Sequence, residues 1–173
     1  NNGVASYDDF TMTIRAYREN NQTMIIDLAT MYIYIKPDGT INVYDQNSNW
    51  VSTGVSLDVG KWTDVIITGN RVAGTFSVAV QPVGGTCTTG ATKGILKNVD
   101  ITSLNLYATS NGTVSPYIDS VRLEKMVPVR IGGETIVETD VLNQNFEDTE
   151  SFKANVTAAY TAGSADTVGG YWS

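Results

Sequence analysis

Apolar and polar residues alternate with period two along most of this chain, and that alternation leaves little room for anything but β-structure. Phe10, Met12, Ile14 and Ala16 alternate with Thr11, Thr13 and Arg15, the pattern of a strand with one buried face. Met24 to Leu28 is a second apolar run, and Tyr32-Ile33-Tyr34-Ile35 a third. Trp50 to Val55, Trp62 to Thr68, Thr75 to Val80, Ile101 to Ala108 and Tyr117 to Leu123 continue the series, with Trp62 expected in the core. Lys36-Pro37-Asp38-Gly39-Thr40 predicts a hairpin turn, because Pro fixes φ, Asp caps the turn and Gly accepts φ > 0. Gly69-Asn70 and Gly84-Gly85 punctuate later segments. β-branched and aromatic residues fill the periodic stretches, and no window of about twelve residues carries a capped helical stripe. Short strands joined by Gly, Asn and Asp turns predict an all-β fold, an antiparallel β-sandwich or jelly roll.

Composition narrows the function. The 173 residues suit one domain. The chain has no His, which removes His-based triads and His-ligated metals, and its single Cys removes internal disulfides and Cys-cluster metals. A net charge of −7 argues against nucleic acid and anionic membranes as partners. The densest apolar run, Met31 to Ile35, is far short of the roughly 20 residues of a membrane-spanning helix, so no membrane insertion is expected. Thr and Ser number 34 and Asn 14, against 11 Lys and Arg, a balance expected of a secreted, extracellular or cell-surface protein. Starting without Met or a basic-then-apolar leader, the chain reads as a mature or excised fragment. Three sequons, at Asn21, Asn111 and Asn155, are about what chance supplies in so hydroxyl-rich a chain.

From Tyr7 to about Lys125 the order of features resembles the concanavalin A-like lectin/glucanase jelly roll in its laminin-G-like, bacterial carbohydrate-binding form. Asp9-Phe10-Thr11-Met12-Thr13-Ile14, Tyr34 to Tyr44, Leu57-Asp58-Val59-Gly60-Lys61-Trp62, Gly74 to Val80 and Tyr117-Ile118-Asp119-Ser120-Val121 carry the resemblance. It speaks to strand order more than to any ligand. Asn143-Gln144-Asn145-Phe146-Glu147 looks like the opening strand of such modules, yet here it follows the closing strand. Residues 1–126 are therefore expected to form the main part of the sandwich. Residues 127–173 would supply strands that complete the same sandwich, by circular permutation, or a neighbouring copy, by strand exchange. A displaced module boundary is the plainer explanation.

Asp119 is the most suggestive single position. Period two places it on the apolar face with Tyr117, Val121 and Leu123, where a carboxylate needs a partner or a cation. The resemblance implies a structural Ca2+ held by a closing-strand Asp and an opening-strand Glu, which here would be Asp119 and Glu147, with Asp148 beside them. The plainer reading has Asp119 capping a turn or pairing with Arg122 or Arg15. For ligand binding, Tyr44-Asp45-Gln46-Asn47-Ser48-Asn49-Trp50 offers Tyr44 and Trp50 as stacking platforms for sugar rings, with Asp45, Asn47 and Asn49 to read hydroxyls. Tyr107, Tyr160, Tyr171 and Trp172 are further aromatics in polar stretches. The plainer alternatives are core aromatics and a polar hairpin.

No enzyme is expected. The resemblance would place a Glu-x-Asp-x-x-Glu string on a catalytic strand, but Glu138-Thr139-Asp140 is followed by Val141, Leu142 and Asn143. Cys87 has no His to activate it, and Gly90-Ala91-Thr92-Lys93-Gly94 lacks the phosphate-loop pattern. Two roles remain: lectin-like binding of a polysaccharide or other glycan, or a structural surface-protein repeat or filament subunit joined head-to-tail to neighbouring copies by strand complementation.

Overall fold

Each alternating segment forms a strand in the computed structural model, which describes residues 8–29, 31–108, 116–129 and 135–145, with backbone alone for 126–129 and 135–145. The strands are β1 (Asp9–Tyr17), β2 (Met24–Leu28), β3 (Met31–Ile35), β4 (Thr40–Tyr44), β5 (Trp50–Ser56) and β6 (Trp62–Asn70). They continue as β7 (Thr75–Pro82), β8 (Thr88–Thr89), β9 (Gly94–Ile95), β10 (Leu104–Tyr107), β11 (Tyr117–Val129) and β12 (Thr135–Asn145). One antiparallel sheet runs β12-β11-β1-β6-β7-β8, with β9 also on β7. The other runs β10-β2-β3-β4-β5.

The two sheets pack face to face as an all-β sandwich, and the inward half of each alternation supplies the core. Phe10, Met12 and Ile14 of β1 are fully buried, as are Ile33 and Ile35 of β3 and Val65 of β6. Burying each such side chain stabilises the fold by about 1.5–3 kcal/mol. The hairpin at Pro37-Asp38-Gly39 joins β3 to β4. Gly39 has φ +88° there, and the Thr40 N–H donates to Asp38 Oδ1 at 2.9 Å. At the end of β1, Arg18 is buried and ties two loops to that strand. Its guanidinium donates to the carbonyls of Pro37 and Leu57.

Two expectations change. Trp62 opens β6 on the outward side of the alternation and is 40% exposed, so it is a surface residue and not a core one. The phase of β11 also shifts: Ser120 lies opposite Arg15 but Ile118 lies opposite Ala16, which leaves Asp119 as the extra residue of a β-bulge. Ile118 therefore packs against the core, while Tyr117, expected on the apolar face, turns outward and is 53% exposed. Cys87 lies in the loop just before β8, free and exposed. In the tail, β12 pairs with β11 of the same chain, from Val129 opposite Thr135 to Ser120 opposite Asn145.

Candidate functional site

The outer face of the five-stranded sheet gathers aromatic rings that the chain keeps apart. In β3 the alternation that buries Met31, Ile33 and Ile35 turns Tyr32 and Tyr34 outward. Tyr44 at the end of β4 pairs with Trp50 at the start of β5. The rings interlock: Tyr44 stacks on Trp50 with centroids 4.2 Å apart and planes at 24°. Tyr34 meets Trp50 edge-on at 5.6 Å, and Tyr32 meets Tyr44 at 5.9 Å and 86°. Such pairs contribute roughly 0.5–1.5 kcal/mol each beyond burial, so the cluster is pre-organised. Stacking uses one face of Tyr44 and one of Trp50, and Trp50 remains 36% exposed.

Polar groups share this face. Asn42, opposite both Tyr34 and Ser52, is almost fully buried, and its side-chain oxygen has no hydrogen-bond partner. An unpaired buried acceptor costs about 1–3 kcal/mol, and this oxygen is sealed beneath the rings, out of reach of a ligand laid on the face. On β2 and β10, Asp27 and Asn105 are cross-strand partners, and the Asn105 amide donates to Asp27 Oδ2 at 3.3 Å. Tyr107 lies opposite Ile25 and is half-buried.

Of the residues singled out in sequence, Tyr44 and Trp50 come together, while Asp45, Asn47 and Asn49 build the turn between them. Asp45 Oδ1 accepts from the backbone N–H groups of Asn47 at 2.8 Å and Asn49 at 2.9 Å. Those bonds, that from Asn49 foremost, hold the Asp45 carboxyl below the usual carboxylate range. Asn47 and Asn49 are exposed on the turn. Tyr32, Tyr34 and Asn42 were missed as site residues because they belong to strands. The signal for the two tyrosines was the alternation itself, which places them opposite Ile33 and Ile35.

Asp119 is half-buried at its bulge, and its negative charge acts on the guanidinium of Arg15. A cation site built on Asp119 would thus share its carboxylate with a charge already present. Among the described residues no group of three or more acidic or Cys side chains could hold a metal ion. Glu147 and Asp148 lie outside the described residues, as do Tyr160, Tyr171 and Trp172. Elsewhere, a cavity of about 260 Å³ opens between β5 and β7, lined by Ser56, Asp58, Thr63 and Thr88 among others. The buried Thr63 hydroxyl has no partner there.

No protein-family model matches the chain, and no curated protein does either. Among solved structures it is similar to the native heptameric SAP-like pentraxin from Limulus polyphemus, at 17% identity and a TM-score of 0.38. The match covers 66% of this chain and 63% of the pentraxin chain, so the chain spans less than two thirds of that protein's length.

Proposed function

We propose that this chain is a non-catalytic extracellular module that binds glycan on the outer face of its five-stranded sheet. The observation that carries the reading is the single surface formed by Tyr32, Tyr34, Tyr44 and Trp50. Aromatic rings offer the flat apolar C–H faces of a sugar a complementary surface, and the exposed amides of Asn47 and Asn49 on the adjoining turn can exchange hydrogen bonds with hydroxyls. The chain's lack of His and its acidic charge fit a neutral ligand held without catalysis.

Isothermal titration against soluble neutral polysaccharides tests the reading. Trp50→Ala is expected to weaken binding at least about tenfold, equal to about 1.4 kcal/mol, with the rest of the fold intact. Binding unaffected by Trp50→Ala and by Tyr34→Ala, or no binding by the wild type, would refute it.

The alternative, head-to-tail assembly, draws support from β12. Among the described residues it is an eleven-residue strand at the end of its sheet, paired with β11 on one side, and long edges of this kind accept a further strand. Sedimentation at rising concentration tests this reading; a monomer throughout would count against it.

A further inference from the structure

The opposite face of the sandwich carries a second aromatic row. Tyr17 of β1 is the direct cross-strand partner of both Tyr117 on β11 and Trp62 on β6, so three rings lie side by side across three adjacent strands. Centroids are 6.2 Å apart for Tyr117 and Tyr17 and 5.4 Å for Tyr17 and Trp62. The planes are tilted at 48° and 51°, so unlike Tyr44 and Trp50 these rings do not cover one another face to face.

The next outward row is polar. Ser120, Arg15, Asp64 and Gln81 follow one another across β11, β1, β6 and β7. Arg15 binds Asp64 through two bonds, Nε to Oδ1 at 2.8 Å and a terminal nitrogen to Oδ2 at 3.0 Å, and Asp119 lies beside this pair. A planar guanidinium fixed by a carboxylate is a rigid donor and acceptor array that keeps its geometry when a ligand arrives.

We infer that this row is a second glycan-stacking surface, so that the sandwich holds two carbohydrate chains on opposite faces and cross-links them. The inference rests on the glycan reading of the other face and adds a site to it. Three features favour a sugar chain over a protein partner. The row is one residue wide, and its rings expose roughly 200–300 Å² on the 150–250 Å² scale of aromatic side chains. That is well below the roughly 800 Å² per partner of a stable protein interface. Its rings repeat once per strand, about 4.8 Å apart in the backbone, which presents successive rings to a linear chain of sugars. Hydrogen-bonding groups run alongside the row, where hydroxyls of a stacked sugar would lie.

Tryptophan fluorescence separates the two faces. Trp50→Phe with Trp172→Phe leaves Trp62 as the lone indole, and Trp62→Phe with Trp172→Phe leaves Trp50. Titrated with galactomannan and hydroxyethylcellulose, both lone indoles are expected to respond, and the wild type is expected to make the polysaccharide solution turbid. Trp62→Ala and, independently, Tyr117→Ala should abolish turbidity while leaving the Trp50 response and the melting temperature in place. Loss of the second site should weaken retention on a glycan gel by on the order of a hundredfold, the scale of lost avidity. A response from Trp50 with none from Trp62 would overturn the second site and leave the first reading standing. A response from Trp62 alone would overturn cross-linking and the first reading together.

Discussion

Tyr117 lies directly opposite Tyr17, ring centroids 6.2 Å apart, because one residue between Tyr117 and Ser120 has no partner on β1. From Leu123 back to Val121 the strand alternates in phase with Met12 and Ile14. Unbroken, that phase would send Tyr117 into the core and Ile118 to the surface. The bulge at Asp119 exchanges them, and so one extra residue sets both the packing of Ile118 and the third ring of an exposed aromatic row.

Deleting Asp119 should therefore be tolerated, although deletions inside strands usually are not. Without it, Ile118 still meets Ala16 and Tyr117 still meets Tyr17 in a regular ladder. Stability by urea denaturation is expected to stay within about 1 kcal/mol of wild type, whereas deleting Val121 puts Ser120 opposite Ile14 and should cost more than about 2 kcal/mol. The deletion also bears on the calcium expectation. If Asp119 helps to hold Ca2+, a chelator lowers the wild-type melting temperature and has no effect on the deletion variant.

Gly69→Ala should destabilise the fold by about 1–3 kcal/mol. Gly69 is the cross-strand partner of Phe10, and a Cβ there would lie 2.1 Å from Phe10 Cε1, inside a ring that is itself fully buried. Phe10→Leu in the same chain makes room, so the double variant should lose less than the sum of the two single ones. Additive losses in chemical denaturation would mean that the ring does not press on Gly69.

Most strands were legible in sequence because burial here follows period two, as in β1, where Phe10, Met12, Ile14 and Ala16 are all buried. The failures occur where something interrupts or ends that period. Trp62 reads as a core residue because it sits amid alternation, but it begins β6 in the outward phase and leans on Tyr17. Asp119 was placed on the apolar face because a bulge leaves no mark in the hydrophobic pattern. Of the candidate site, Tyr44 and Trp50 were legible because a short polar turn joins them. Tyr32, Tyr34 and Asn42 were not, since their proximity to Trp50 depends on strand register and not on distance along the chain.

Arg18→Lys should destabilise the protein by about 2 kcal/mol or more, despite keeping the charge. The guanidinium reaches two carbonyls from different loops, Pro37 and Leu57, from a position 3% exposed to solvent. A single ammonium cannot span both, and a carbonyl left unpaired in the interior carries its desolvation penalty. Gly60 also donates its N–H to the Arg18 carbonyl at 2.9 Å, so the loops on either side should loosen together. Faster amide exchange at Gly39 and Leu57 in the variant would be the local signature. Unchanged exchange with unchanged stability would remove Arg18 as a tie between the loops.

Acidification should open the turn that holds Tyr44 against Trp50. The folded-state pKa of Asp45 is depressed, chiefly by the N–H of Asn49, so its contribution is present above the unfolded value near 3.9 and is lost as pH falls through the folded one. Asp38 is depressed in the same way, foremost by the Thr40 N–H at the other end of β4, so a global melt would mix the two. The stacked pair supplies a local readout instead. Its near-ultraviolet circular dichroism should persist at neutral pH and fade below about pH 4, the region where an unperturbed Asp titrates. Asp45→Asn keeps the Oδ1 acceptor and loses the titration, so its signal should be flat across that range. Asp45→Ala removes the acceptor and should show a weakened signal at every pH. A wild-type signal that persists to pH 2, or an alanine variant indistinguishable from wild type, would mean that the stack between Tyr44 and Trp50 stands without its turn.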